Sequence, residues 1–303
     1  MYNLTVSFGA VRMRVSSADR SLPLDTTGAH RRFVVGDGPA DAHLTAAWDD
    51  LSGREFGRLV YDSGVLWKMY ASEGSFRCVF TSSFFGEAPY KVATFTPDFT
   101  SGEILLHRPY FRPDAPQYPL ESPLDEILLN HLLADGRGAE VHSIGLVDRR
   151  GRGLLFPGQS GAGKSTTARL WMPHARTILS DDRIVLRPQG DAIRMYGTPW
   201  HGDAEVCDAS SAPLHGVFFL QQGKTNSLVR LSRRDAAARF LTCAFIPFYR
   251  AESVAYTLEF YESVAVRVPC FELTFAPDGS VVAFVEERME SFPVLDGIED
   301  NHE

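Results

Sequence analysis

A glycine-rich segment near the middle of the chain has residue types and spacing suited to binding a phosphate group. Residues 158–166 read GQSGAGKST, follow the apolar run 154–156 and precede a helix-like pattern, which is the context that the G-x-x-x-x-G-K-S/T motif requires. Glycines permit a tight turn with backbone N–H groups close to phosphate oxygens, and a helix N-terminus adds partial positive charge. A chance match of a Gly- and Ser-rich loop is the alternative. The motif predicts that ATP and Mg²⁺ are bound by Gly158, Ser160, Gly161, Ala162, Gly163, Lys164, Ser165 and Thr166.

Lys164 and Ser165 have the most specific parts in such a motif. The lysine ammonium supplies a full positive charge near the β and γ phosphates, and the serine hydroxyl is a suitable ligand for Mg²⁺. Lys164 is therefore also a predicted catalytic residue, and Ser165 is a predicted metal ligand.

Two adjacent carboxylates, Asp181 and Asp182, lie with Ser180 at the end of the β-like run 177–179. Ligand-binding groups gather at such strand ends in α/β sheets, and phosphoryl transfer to a hydroxyl uses an acidic group for Mg²⁺ and a carboxylate beside the acceptor. Neighbouring strand residues point to opposite faces, so one carboxylate can face the phosphates while the other stabilises the structure. Both are predicted catalytic residues, with Asp182 also a metal ligand; a polar turn after a strand is the alternative.

Three other features bear on the site. His142 lies on the β-like run that precedes the loop, although a lone histidine on a strand is more often structural. The turn-rich segment 197–203 either contacts substrate or is an ordinary surface loop. The later apolar run 217–220 ends in Gln221-Gln222, so it offers no carboxylate for a metal.

The second half of the chain contains the elements that would position these groups. Two β runs around a Gly/Arg-rich turn predict a hairpin that leads into the loop, and a helix is predicted after the loop, to about residue 171. A helix with Ser232 as its cap is predicted at 235–241. Predicted strands occupy 141–148, 153–156, 177–179, 184–186, 193–196, 217–220, 263–268 and 281–285.

The first half of the chain has mainly β signals. Val11, Met13 and Val15 alternate with arginines, which is typical of a strand with one buried face. Residues 17–54 are expected to be largely loop, and the whole pattern favours an antiparallel N-terminal sheet. Further strands are predicted at 56–61, 65–70, 76–80 and 103–107.

A proline-rich stretch predicts a linker at about 108–121, because closely spaced prolines exclude a helix or a central strand. A helix is expected next, with Ser122 as its cap, Pro123 at its first position and Asp125-Glu126 in its first turn. We expect this helix to pack on the second domain.

Composition narrows the class of protein. The chain has 303 residues, 44% of them hydrophobic and 22% charged, which is ordinary for one or two globular domains. A net charge of −8 argues against a general nucleic-acid or anionic-membrane binder. The sequence has no apolar run of membrane-spanning length and no signal-peptide pattern, so a cytoplasmic location is expected. Four scattered cysteines predict reduced thiols rather than a zinc site or disulfides.

Three segments taken together resemble a known family. Val141-His142-Ser143, the loop from Gly158 to Ser165, and Ser180-Asp181-Asp182 resemble the catalytic domain of HPr kinase/phosphorylase and its relatives with the PEP-carboxykinase-like fold. The resemblance covers residues 139–186 and extends weakly to 285. It implies a nucleotide-binding catalytic domain with a mixed sheet, assigned to 119–303. The β signals before the proline-rich stretch predict a separate β-rich N-terminal domain, 1–118, so an α/β chain of two domains is expected.

The same resemblance implies roles for the candidate residues. Asp181 would be the base that takes the acceptor proton, Asp182 its acidic neighbour, and His142 a catalytic residue close to the acidic pair. Thr166 stands where the family has a glutamate, the segment from His142 to the loop is one residue longer, and the C-terminal phosphorolysis signature is not found. The resemblance therefore implies kinase rather than phosphorylase activity, and it does not imply HPr as the substrate.

The leading hypothesis is an ATP-dependent kinase that phosphorylates a hydroxyl, with a Ser or Thr of a protein or peptide as acceptor and the N-terminal sheet helping to recognise it. A small-molecule kinase and a nucleotide-binding regulator without phosphoryl transfer are the alternatives. Relatives with this fold are often oligomers, so a homo-oligomer is compatible with the sequence. No nucleic-acid or membrane partner is expected.

Overall fold

A computed structural model describes residues 1–112 and 115–290. The chain forms two compact units, Met1–Ala139 with Phe245–Thr257 and Glu140–Ala244 with Leu258–Glu303. Each unit contains a mixed sheet, and strands outnumber helices among the described elements. The protein is therefore of the α/β class.

The first unit is built on an eight-stranded sheet with the order β1-β2-β3-β8-β7-β6-β5-β4. Its strands are β1 (Tyr2–Phe8), β2 (Val11–Ser17), β3 (Ala42–Asp49), β4 (Arg58–Asp62), β5 (Trp67–Ser72), β6 (Ser75–Phe80), β7 (Lys91–Phe95) and β8 (Ser101–His107). Strand β3 is parallel to both β2 and β8, and the other pairs are antiparallel. The sheet is therefore mixed, and the prediction of a purely antiparallel sheet is wrong. Short 3₁₀ helices occupy Gly28–Phe33 and Arg108–Tyr110.

Burial on the first sheet follows the alternation seen in the sequence. Val11, Met13 and Val15 on β2 are all fully buried, which confirms the predicted strand. Strand β3 lies inside the segment that was expected to be mostly loop, and it buries Ala42, Leu44 and Ala46 on one face. Its alanines carry little β propensity, so this strand forms because both of its neighbours pair with it.

The helix that follows the proline-rich stretch is α1 (Leu124–Leu133). It begins one residue later than expected: Pro123 lies at the cap position, and no side chain makes a capping hydrogen bond, so the expectation for Ser122 is wrong. Asp125 in the first turn is fully buried, and its Oδ2 lies 2.8 Å from His30 Nε2. This contact ties α1 to the N-terminal residues, and the helix belongs to the first unit rather than to the second.

The second unit is built on a nine-stranded sheet whose main path is β10-β9-β12-β13-β14-β17-β15. Strand β10 also pairs with β14 in parallel, so β10, β9, β12, β13 and β14 form a closed ring of pairings. The strands after β8 are β9 (Ala139–Val147), β10 (Gly153–Pro157), β11 (Thr177–Ser180), β12 (Arg183–Gln189), β13 (Ala192–Tyr196), β14 (Ser211–Gln222), β15 (Ser227–Arg230), β16 (Ala244–Phe245) and β17 (Cys270–Phe275). The helices after α1 are α2 (Lys164–Trp171), α3 (Arg233–Leu241), α4 (Ala251–Arg267) and α5 (Ser280–Glu290).

Several predictions for this half are confirmed. Strands β9 and β10 form the antiparallel hairpin that leads into the glycine-rich loop, and α2 follows the loop. Helix α3 has Ser232 as its cap, with the serine Oγ accepting a hydrogen bond from the backbone N–H of Asp235.

Two predicted strands of the second half are wrong. Residues 263–267 form the end of α4, with 268 just beyond it, and 281–285 lie within α5. Both segments are rich in valine, which favours strands locally, but their buried residues recur at helical spacing. Val281, Val282, Val285 and Met289 of α5 are all buried in the core of the second unit. Burial of one helix face therefore outweighs the local β propensity.

An aromatic core supports the elements on either side of the glycine-rich loop. Phe156 on β10 stacks on Phe218 of β14 at a centroid distance of 5.2 Å, and Phe218 stacks on Phe271 of β17 at 5.7 Å. Trp171, at the end of α2, packs against Phe156 and is fully buried. Phe156 near the end of β10 and Trp171 at the end of α2 thus belong to the same core, which supports the elements on both sides of the loop.

Candidate functional site

The glycine-rich loop joins the end of β10 to the start of α2. Gly161 and Gly163 have φ angles of +83° and +100°, a region in which other residues are strained. A Cβ on Gly158 would lie 2.8 Å from the Cβ of Ala162, and one on Gly163 would lie 2.7 Å from Phe275 Cζ. The loop therefore needs glycine for backbone conformation at two positions and for space at Gly158 and Gly163.

Lys164 begins α2 and folds back over the loop. Its Nζ donates hydrogen bonds to the carbonyl oxygens of Gly158 at 2.8 Å and Gln159 at 3.1 Å. Burial lowers the pKa of Lys164, although Asp182, Cys243 and Asp181 oppose that shift. A cation thus lies at the first turn of the loop, beside the start of the helix.

Ser165 and Thr166, the next two predicted binding residues, lie in the first turn of α2 and are partly exposed. The next residue, Thr167, is buried, and its Oγ1 donates to the carbonyl of Gly163 at 3.0 Å. Ser160 and Gly161 are exposed at the tip of the loop, and Ala162 is partly buried. The first turn of the helix therefore presents two hydroxyl groups that solutes can reach.

Asp181 is buried and bound to backbone groups. Only 1% of its surface is exposed, and its two carboxylate oxygens accept hydrogen bonds from the backbone N–H groups of Gly202 at 2.9 Å, Ala204 at 2.8 Å and Val206 at 3.4 Å. These bonds fix the segment that follows β13. The geometry argues against the predicted role of Asp181 as the base, because its carboxylate is closed to solvent and already accepts three backbone hydrogen bonds.

Asp182 has the opposite environment. Its side chain is 21% exposed, its Oδ1 lies 2.9 Å from His142 Nε2, and its Oδ2 lies 3.7 Å from Arg183 Nε. Burial raises the pKa of this carboxyl, but the hydrogen bond from His142 and the charges of Arg183 and Lys164 outweigh it, so the pKa lies below its ordinary value. Asp182 is therefore an ionised carboxylate beside a histidine, a combination able to accept a proton.

His142 links several parts of the site through its backbone as well as its ring. Its carbonyl accepts a hydrogen bond from the N–H of Gly158 at 3.3 Å, and its own N–H donates to the carbonyl of Cys243 at 2.8 Å. The neighbouring Ser143 N–H donates to the carbonyl of Asp182 at 2.9 Å. The backbone of His142 and Ser143 on β9 thus binds both the start of the glycine-rich loop and the backbone of Asp182.

The segment 197–203 is attached to the end of β11, where Ser180 and Asp181 lie. Trp200 is buried, and its carbonyl accepts a hydrogen bond from Ser180 Oγ at 2.8 Å. The guanidinium of Arg183 lies 5.9 Å from the Trp200 ring centroid. The segment is therefore anchored by Ser180 and Asp181 and is not a free surface loop.

Three residues around the loop were missed by sequence reasoning. A cavity of about 580 Å³ opens beside the loop and is lined in part by Gln222, Arg239 and Cys243. Gln222 Nε2 donates to the carbonyl of Gly161 at 2.6 Å, and Arg239 is paired with Glu272. Only Gln222 gave a signal in the sequence, because it ends an apolar strand in the position where a carboxylate was sought.

Metal and membrane features are absent within the part of the chain that the structure describes. No three His, Cys, Asp or Glu side chains in these ranges come together as a metal site. None of the described helices combines the length and the apolar character needed to cross a membrane. The four cysteines are free thiols and buried.

Comparisons with known proteins include a distant structural likeness. No protein family and no curated protein matches the sequence. Among solved structures, the Hpr(Ser) kinase/phosphatase from Coxiella burnetii matches with a TM-score of 0.30 and 12% sequence identity, over 50% of this chain and 95% of that chain. The likeness is confined to half of the present chain.

Proposed function

We propose that the protein is an ATP-dependent phosphotransferase that moves the γ-phosphoryl group to a hydroxyl, with a Ser or Thr of a protein or peptide as acceptor. The observation that carries the proposal is the placement of His142. Through its backbone it contacts the start of the glycine-rich loop, and through its ring it binds Asp182. A phosphate-binding motif and an ionised carboxylate are therefore neighbours, and kinases use such a carboxylate beside the acceptor hydroxyl.

The loop and Lys164 would bind the phosphates of ATP. Backbone N–H groups of residues 159–161 and 163 and the N-terminus of α2 favour anions, and the ammonium of Lys164 adds a full positive charge. Because residues 158 and 163 are glycines, no side chain separates the loop backbone from Ala162 and Phe275. We place the nucleotide in the adjacent cavity, next to Gln222 and Arg239.

Ser165 and Asp182 would hold Mg²⁺. The magnesium ion neutralises phosphate charge when bound, and in nucleotide sites it takes one or two protein oxygens together with phosphate and water oxygens. A partly exposed hydroxyl and an ionised carboxylate fit that donor set without a cluster of three protein ligands. Thr166, next to Ser165, is a hydroxyl and not a carboxylate, so it adds no negative charge to the site.

The His142–Asp182 pair would accept the proton of the acceptor hydroxyl. The two groups share a hydrogen bond of 2.9 Å, so proton uptake belongs to the pair as a unit. Asp181 would act indirectly, because its carboxylate accepts hydrogen bonds from three backbone N–H groups and so positions the segment after β13. We propose that the sheet of the first unit helps to recognise the acceptor, which is the role expected of the N-terminal sheet from the sequence.

The test is an assay in which the protein is incubated with a host lysate, Mg²⁺ and [γ-³²P]ATP, and transfer of the labelled phosphate to lysate components is measured. We expect the wild type to label a protein or peptide on Ser or Thr, and Lys164→Ala to reduce labelling by about 100-fold or more, because the phosphates lose their fixed cation. The control is Arg234→Ala, which removes an exposed cation of α3 that does not line the proposed nucleotide cavity. Labelled small molecules in place of protein would favour a metabolite kinase. ATP binding without any labelled acceptor or hydrolysis would overturn the proposal in favour of a nucleotide-binding regulator.

A further inference from the structure

A second cavity of the second unit, of about 670 Å³, is rich in arginine. Its lining includes Arg150, Arg152, Arg230, Arg233 and Arg267, together with His215. Glu290 is its only acidic lining residue among the described residues. The chain as a whole carries a net charge of −8, so five arginines in one cavity run against the overall charge.

Internal partners account for part of this positive charge. Arg150 pairs with Glu290 at 2.6 Å. Arg152 pairs with Asp148 at 2.7 Å and also donates to the carbonyl of Met289 at 3.1 Å. Both of these guanidinium groups are therefore compensated.

The remaining arginines are not neutralised in the same way. Within the described residues, the guanidinium groups of Arg230 and Arg233 form no hydrogen bond or ion pair, and that of Arg267 donates only to the carbonyl of Gly190 at 3.3 Å. All three are exposed at the cavity. Guanidinium groups present fixed forks of donors that match phosphate and carboxylate oxygens, so this cavity attracts anions.

The cavity also has an apolar side. Leu231, Val266, Val268 and Pro269 are among its lining residues, and 55% of the Val266 surface is exposed. Val266 is thus an apolar side chain in contact with solvent, beside three arginines. A ligand with both charged and apolar parts complements such a lining better than a simple inorganic ion does.

This cavity is distinct from the site at the glycine-rich loop. Arg150 and Arg152 precede β10, and the glycine-rich loop follows the other end of the same strand. Five strand residues separate the two places, which corresponds to roughly 17 Å. Pro269 immediately precedes β17, and His215 lies on β14 two residues before the stretch that pairs in parallel with β17, whereas the loop-facing Gln222 is at the other end of β14.

We propose that this arginine-lined cavity is a second ligand site, which binds a small organic dianion with phosphate or carboxylate groups on an apolar body. Arg230, Arg233 and Arg267 contact the anionic groups, and Val266 and its apolar neighbours contact the body of the ligand. The site is independent of the proposed phosphoryl transfer.

Two probes separate the possible chemistries: phenyl phosphate and benzene-1,3-dicarboxylate, titrated into the full chain by calorimetry without Mg²⁺ or nucleotide. We expect at least one probe to bind, and the one that binds more tightly identifies the preferred anionic group. The double variant Arg230→Gln/Arg233→Gln should weaken binding at least tenfold. Bound probe should also protect Arg230 and Arg233 from modification by phenylglyoxal, as read by mass spectrometry.

The matched control is Arg234→Gln, which removes an exposed arginine next to Arg233 on α3 that does not line the cavity. Its affinity should stay within twofold of the wild type, and thermal melting checks that all variants are folded. Absence of binding by both probes at millimolar concentration, or equal binding by the double variant, would overturn the proposal. So would binding that appears only after residues 291–303 are deleted, because that segment has four acidic residues and would then be the occupant.

Discussion

Asp181 and Asp182 are adjacent in the chain but differ in solvent access and in hydrogen-bond partners. Asp181 is closed to solvent and accepts three backbone N–H groups, whereas Asp182 is partly exposed and hydrogen-bonded to His142. The first carboxylate can stabilise a loop but has no access to a reacting group. The second has both a charge and a route to solvent.

Exchange of each aspartate for asparagine should separate these roles. Asp181→Asn places an NH₂ donor among backbone N–H donors, so we expect a loss of about 1–3 kcal/mol in the free energy of unfolding. Asp182→Asn should leave stability within about 1 kcal/mol of the wild type but lower phosphoryl transfer by about 100-fold or more, because the proton-accepting pair is lost. Urea unfolding and the radiolabel assay measure the two effects. A stable but inactive Asp181→Asn, together with an active Asp182→Asn, would return the base role to Asp181.

The conformation of the glycine-rich loop depends on strands other than the strand and helix that flank it in the chain. Gly163 has a φ of +100° and lies against Phe275 of β17, and Gln222 of β14 binds the carbonyl of Gly161. The conformation of the loop is therefore determined by β14 and β17 as well as by its own glycines.

Gly163→Ala should disrupt the loop through both strain and crowding. A left-handed alanine costs about 1–2 kcal/mol, and its Cβ would lie 2.7 Å from Phe275 Cζ. We expect reduced stability and a loss of at least tenfold in ATP affinity, measured by thermal melting with and without nucleotide. Gly190→Ala is the control, because Gly190 has a φ of +57° and a Cβ added there would have no atom within 4 Å. Equal ATP affinity in wild type and Gly163→Ala would contradict this account.

At the scale of the whole molecule, the first unit is discontinuous in sequence. The chain returns to it for residues Phe245–Thr257, where Tyr249 is hydrogen-bonded to the buried His131 and its ring packs near Tyr61 and Phe76. Burial lowers the pKa of His131 to about 3, so this histidine is neutral at ordinary pH and its ring nitrogens need neutral partners.

Tyr249→Phe should therefore destabilise the first unit. Loss of the hydroxyl leaves His131 Nε2 buried without that partner, which costs about 1–3 kcal/mol. The control is Phe248→Ala, since Phe248 is 67% exposed and contributes little to the core. Urea unfolding of both variants gives the comparison, and equal stability of Tyr249→Phe and the wild type would show that the hydroxyl has no structural role.

Lys91 should make the stability of the protein change with pH in the alkaline range. It is buried, its Nζ donates to the carbonyl of Glu121 at 2.9 Å, and burial lowers its pKa from 10.5 to about 8. Between these two values the unfolded chain binds more protons than the folded chain, so the contribution of Lys91 to stability rises with pH and levels off above 10.5.

Comparison of the wild type with Lys91→Met isolates this effect from other groups that titrate at alkaline pH. The stability of the wild type relative to the variant should increase by roughly 2–3 kcal/mol between pH 8 and 10.5, as measured by urea unfolding. Lys68→Met, at an exposed ion pair, should show no such rise over that interval. A flat difference for Lys91→Met would mean that Lys91 remains protonated in the folded protein.

The sequence by itself determined the features that depend on residues close together in the chain. The glycine-rich loop, the hairpin before it, the helix after it and the Ser232 cap of α3 all follow from local patterns, and the structure contains each of them. Turn, cap and hairpin preferences act over a few residues, so they can be recognised without knowledge of the rest of the fold.

The tertiary structure decided the features that depend on contacts distant in sequence. The valine-rich segments at the end of α4 and in α5 are helical because the core of the second unit takes up one face of each, and β3 is a strand because β2 and β8 lie on both sides of it. The different environments of Asp181 and Asp182 arise in the same way, since their partners lie up to 40 residues away in the chain. Such contacts have no local pattern, because burial and hydrogen bonding depend on which elements meet in the folded chain.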